Sequence, residues 1–122
     1  MGLRFLDFDY SEDDAGRGVF DAMAAVRPEQ VEALHGEVSA VLAWAHGEFG
    51  EAGPLDEEGE WDFDLSGAVE TSVPRHFTFD PAMAKLRISA GPAGVARHVL
   101  SLSVSGSPTF CAALRERFQL DA

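Results

Sequence analysis

The stretch HVLSLSVSGSPTFCAALRERF, His98–Phe118, changes its periodicity halfway along, and that change decides the fold class. Over its first eight residues Leu100, Leu102 and Val104 alternate with Ser101, Ser103 and Ser105. Successive side chains on a strand point to opposite faces, so this is an antiparallel strand, apolar on one side and wet on the other. Beyond Ser107 the apolar positions are Phe110, Ala113, Leu114 and Phe118, which share one stripe of a helix. Ser107 supplies an N-cap oxygen, and Pro108 falls at the first helical position, where its missing N–H costs nothing. Arg115 and Arg117 then occupy the last turns, where cations suit the helix dipole.

Upstream, Phe77 and Phe79 open a strand after Pro74 that stops at Asp80-Pro81, and Leu86 and Ile88 alternate with Lys85, Arg87 and Ser89 on the return. This pattern predicts a hairpin. Trp61, Phe63 and Leu65 alternate with Asp62, Asp64 and Ser66, a half-buried strand by the same rule. Pro28–Phe49 is the longest element. Val31, Leu34, Val38, Val41, Leu42, Ala45 and Phe49 form its apolar stripe, and Gly47 and Gly50 mark its exit. Val19–Val26 is open between a hairpin strand and a lead-in to the helix; the loop length and Val26-Arg27-Pro28 favour the strand, since the residue before a proline avoids helical backbone. Leu3–Tyr10 reads as another, with Leu6, Phe8 and Tyr10 alternating against Asp7 and Asp9, and Ser11–Gly18 as the turn between them. The expected fold is therefore α+β, in the order β-β-α-β-β-β-β-α, with one twisted antiparallel sheet and both helices packed on one face.

A chain of 122 residues suits a single domain, 1–122, with one core. The net charge is −12, and it is unevenly spread: residues 1–74 hold −15 and residues 75–122 hold +3. Nucleic-acid binding depends on cations that displace counterions, and anionic membranes attract basic segments; this balance argues against both. It favours a protein partner with a basic surface, steered toward the acidic half. No apolar run reaches the roughly 18 residues that a bilayer crossing needs. The single cysteine, Cys111, allows no internal disulfide, and the N-terminus acquires acids where a signal peptide would continue its apolar core. The expected compartment is the cytoplasm.

Partner contact is expected at Asp13, Asp14, Glu57, Glu58 and Trp61, where acidic loops meet an aromatic. The alternative is a ligand-binding protein or enzyme with a carboxylate-lined pocket around Asp7, Asp9, Asp62 and Asp64; no cofactor is required, and a divalent cation is an option there because hard cations bind converging carboxylates. Within it, Asp62-Phe-Asp64-Leu-Ser66-Gly67-Ala-Val69-Glu70 resembles the opening of an EF-hand calcium loop, with oxygen ligands at positions 1, 3 and 5, glycine at 6 and an acid at 9. The likeness covers nine residues; Val73 stands where the loop has its bidentate glutamate. His35, His46, His76 and His98 are too dispersed for a zinc pair on one element. Cys111 and His98 are the only thiol and base close in sequence, and a core role for the cysteine fits its apolar neighbours. The α-β-β-β-α order of the middle and end resembles double-stranded RNA-binding domains, whose basic anchors are absent here.

Overall fold

The computed structural model describes residues 2–55 and 59–121. The elements are β1 (Asp9–Glu12), β2 (Gly18–Val26), a 3₁₀ turn (Pro28–Gln30), α1 (Val31–Phe49), β3 (Trp61–Glu70), β4 (Arg75–Asp80), β5 (Lys85–Ala90), β6 (Arg97–Gly106) and α2 (Pro108–Phe118). The chain is α+β and its strand pairings are antiparallel. The single sheet is not formed. Four strands make one sheet in the order β1-β2-β6-β3, and β4 and β5 pair separately.

The supply of helix surface explains the split. Phe20, Ala22, Ala24 and Val26 on β2 and Leu102 and Val104 on β6 are buried. They form one cluster with Leu34, Val38, Val41 and Ala45 of α1 and Phe110, Cys111, Leu114 and Phe118 of α2. Two helices cover the middle of a four-stranded sheet and little more. On the edge strand β3 only Trp61 is fully covered, while Phe63 and Leu65 are 40% and 42% exposed. Among the described residues no helix is left to cover β4 and β5.

The N-terminal strand is also shorter than its alternation predicts. Leu6 and Phe8 are buried as expected, but pairing starts only at Asp9, opposite Asp21. The backbone N–H groups of Arg4, Phe5 and Leu6 donate instead to the carboxylate of Glu37 on α1, at 2.9, 2.9 and 2.7 Å. A helix side chain thus satisfies the donors that a sheet ladder would otherwise take.

The junction of α2 with the sheet follows the sequence closely. Ser107 Oγ accepts from the Phe110 N–H at 3.1 Å, with Pro108 next to it. Gly106 and Gly18 lie opposite each other on β6 and β2. A Cβ at Gly106 would fall on the Phe110 ring, and one at Gly18 on the Tyr10 ring and Cys111 Sγ. Their missing side chains let the helix start close to the sheet. Phe110 then stacks on Trp61 with ring centroids 5.7 Å apart and planes 5° off parallel. The Trp61 indole N–H donates to the Gly50 carbonyl at 2.9 Å, tying in the end of α1. Trp44, half-buried on α1, packs edge-on against Phe118.

Candidate functional site

Beyond the four-stranded sheet, the pairing of β3 with β6 runs on into β4 and β5. Gly94 N–H donates to Ser72 O at 2.7 Å and Gly91 N–H to Pro74 O at 2.8 Å, so the β4–β5 hairpin is an arm that extends β3 and β6 past the end of the sheet. Its register pairs Phe77 with Ile88 and Phe79 with Leu86. Directly opposed residues share a face, so these four form one apolar stripe. His76 with Ser89, Thr78 with Arg87 and Asp80 with Lys85 occupy the other face. Phe77, Phe79, Leu86 and Ile88 are 60%, 60%, 62% and 56% exposed, and Met83 at the tip is exposed as well.

The tip is shaped by Asp80. Its Oδ1 accepts from the Ala82 and Met83 N–H groups at 3.1 and 3.3 Å, and its Oδ2 from Arg87 Nη2 at 3.1 Å. Ala84 completes the turn in the left-handed region at φ 53°. With Arg75, Lys85 and Arg87 against Asp80, residues 75–90 carry +2 in a chain of −12. The arm is a basic, amphipathic ribbon on an acidic body. The sequence does show its alternation. What the sequence conceals is that no helix among the described residues covers it.

The face of the main sheet turned away from the helices is acidic. Asp9 opposes Asp21, Asp21 opposes Ser103, and Ser103 opposes Asp64, so all four lie in one row across the strands. Asp9, Asp21 and Asp64 line a shallow depression of about 350 Å³ with Ser101, Ser103 and Met23. Strands are spaced about 4.8 Å apart, which separates Asp9 from Asp64 by about 14 Å. Asp62 stands in the neighbouring row opposite Ser105, and Asp7 precedes β1 beside a second depression, which it lines together with Asp9 but with neither Asp62 nor Asp64. The four carboxylates assigned to a cation pocket are therefore not gathered. Among the described residues no three His, Cys, Asp or Glu side chains are grouped closely enough to hold a metal ion. The calcium-loop likeness falls on β3, where Asp62, Asp64 and Ser66 project along one face of an extended strand instead of converging.

The expected partner contacts separate. Asp13 organises the β1–β2 turn. Its Oδ1 accepts from the Ala15 and Arg17 N–H groups, and its Oδ2 from Arg17 Nε, each at 2.9 Å. Desolvation pushes its pKa upward, but hydrogen bonds from the Arg17 backbone, the Arg17 side chain and the Ala15 backbone prevail and hold it below the ordinary carboxylate value. Asp14 is exposed in the same turn. Glu57 and Glu58 lie outside the described residues. Trp61 is 1% exposed, so it is a core residue and not a surface contact. Its placement opposite Gly106 puts its ring under Phe110, a long-range packing that strand alternation cannot reveal.

Cys111 is buried, with Sγ 3.5 Å from the Gly106 carbonyl. Burial pushes its thiol above the ordinary range, outweighing the lowering effects of the Gly18 backbone, Arg115 and Tyr10. His98 lies eight residues before Gly106 on β6, about 26 Å away at strand rise, so the two form no nucleophile–base pair. Near the thiol, the Arg115 guanidinium sits 4.1 Å over the Tyr10 ring, and the Tyr10 hydroxyl donates to Glu12 at 2.9 Å. The Arg115 hydrogen bond lowers the phenol's pKa, yet desolvation and Glu12 together raise it above its ordinary value.

No protein-family model, curated protein or solved structure matches the chain. Among the described residues no helix is long and apolar enough to cross a membrane.

Proposed function

We propose that the chain is a protein-binding module whose binding element is the apolar face of the β4–β5 arm. One observation carries this reading: four large apolar side chains in two cross-strand pairs, each more than half exposed, with polar residues on the reverse face. An isolated two-stranded hairpin is marginally stable in water, and a contiguous apolar stripe with a polar border is the usual mark of an interface. Arg75, opposite Ala90, stands on the same side as the apolar stripe and favours a partner with a carboxylate beside its apolar strip, whereas Lys85 and Arg87 lie on the reverse face. The partner contact thus moves from the acidic half to the basic arm.

The test compares immobilised wild-type chain with a Phe77→Asp/Phe79→Asp variant in lysate of the source organism. A stoichiometric protein held by the wild type and absent from the variant is expected. Equal retention by both chains would remove the reading.

A second reading rests on the acidic row. Asp9, Asp21 and Asp64 on one solvent-facing surface, with Asp13 and Asp14 at the adjoining turn, favour a basic partner there. In that case Asp21→Lys/Asp64→Lys abolishes capture and the arm variant does not.

A further inference from the structure

Resting on the arm reading, we infer that the arm's partner is a second copy of this chain, each arm lying on the exposed β3 of the other copy in a reciprocal, two-fold dimer.

The receiving surface is present on the chain itself. In the sheet order β1-β2-β6-β3, β3 is an outer strand. Beyond Trp61 its helix-side positions include Phe63, Leu65 and Val69, all exposed, although the start of α1 approaches the strand's far end, where Val31, Leu34 and His35 line a depression with Gly67 and Val69. An outer strand with uncovered apolar side chains is a template for association. The arm leads out from the end of its own β3 and leaves that strand's helix-side residues uncovered; a second copy brings an arm that can reach them.

The areas fit a stable pair. Aromatic side chains present on the order of 150–250 Å² each and aliphatic ones somewhat less, so the four arm residues at their exposures offer about 450 Å². Phe63, Leu65 and Val69 add roughly 250 Å² on the same scale. A reciprocal dimer uses both surfaces of both copies and buries about 1,400 Å², within the range of specific stable interfaces.

Charge selects between the two ways that copies can meet. Packing arm on arm would bring together two ribbons of +2 each. Packing arm on body sets each +2 ribbon against a remainder that carries −14. Attraction favours the second arrangement, and a two-fold axis makes both contacts equivalent and closes the assembly.

Sedimentation of the full chain over a wide concentration range tests this. The expected particle has twice the mass of the 13.1 kDa chain. Phe79→Asp on the arm and Leu65→Asp on the receiving strand should each give monomers, with unchanged circular dichroism because both positions are exposed. Lys85→Glu/Arg87→Glu, which turns the arm from +2 to −2 without touching its apolar face, should weaken the dimer severalfold at low salt by slowing association. A wild-type chain that stays at 13.1 kDa overturns the inference. So does a dimer that Leu65→Asp leaves intact, or one whose affinity the double charge reversal leaves unchanged, since the reversal turns each arm from +2 to −2 and leaves arm-on-arm repulsion as it was. A monomeric wild type that still loses its lysate partner on Phe77→Asp/Phe79→Asp removes only self-pairing and leaves the binding reading standing. Retention unaffected by that variant removes both.

Discussion

Gly106 at the end of β6 lies directly beneath the Phe110 ring, which occupies the space that any side chain at position 106 would need. Phe110 in turn stacks on Trp61 and is fully buried, so the ring has no free direction in which to retreat. Gly106→Ala should therefore destabilise the fold by about 1–3 kcal/mol, the usual cost of overpacking. Gly36 is the control. It is exposed in the middle of α1 with nothing within 4 Å of a built Cβ, and Gly36→Ala should stabilise by up to about 1 kcal/mol. Urea titrations of both variants check the opposite signs.

Glu37 holds the N-terminal segment through three backbone N–H groups, and that segment carries Leu6 and Phe8 into the core. Glu37→Ala should cost about 1–3 kcal/mol, since hydrogen bonds to a charged acceptor are among the stronger ones and this site is partly exposed. Hydrogen exchange at residues 4–6 should accelerate well before global unfolding. Glu37→Gln, which keeps an acceptor oxygen, should fall between the two.

Trp61 is sealed between α2 and the end of α1, whereas Trp44 is only half-buried. In a Trp44→Phe background the remaining tryptophan emission should be blue-shifted and nearly inaccessible to iodide. Ready quenching would contradict the buried position. Trp61→Ala should cost about 3–5 kcal/mol, as large aromatic truncations in cores do.

Asp13 has a folded pKa below its ordinary value. A depressed carboxylate pKa stabilises the fold above the unfolded-state value, and that contribution is lost as pH falls through the folded value. Acid titration of wild type against Asp13→Asn should show the stability difference narrowing as the medium becomes more acidic than the ordinary aspartate pKa of about 4. A difference that grows toward acid would contradict the turn geometry.

Ala84 adopts φ 53° at the arm tip, a region that costs residues with a Cβ about 1 kcal/mol or more. Ala84→Gly should slow hydrogen exchange across β4 and β5 by several-fold and leave the main sheet unchanged. Slower exchange in both sheets would mean that the arm and body unfold as one unit.

Local chemistry made much of the architecture readable from the sequence alone. Leu100, Leu102 and Val104 alternate because β6 buries one face, and Ser107 with Pro108 starts α2 because a hydroxyl and a ring suit a helix N-terminus; each signal acts within a few residues of its cause. The class, the element order and the N-cap were therefore visible in advance. The N-terminal pairing, Trp61 and the arm were not, because each depends on a partner far along the chain. Leu3–Phe8 has the alternation of a strand, but Glu37, more than thirty residues on, takes its donors. Asp62 and Asp64 look like neighbours of Asp9, but two intervening strands hold them apart. Phe77, Phe79, Leu86 and Ile88 have the pattern of a covered sheet, and periodicity reports only which side of a strand is apolar. Whether a helix lies over that side depends on how two helices divide their surface among six strands, a competition settled only when the whole chain packs.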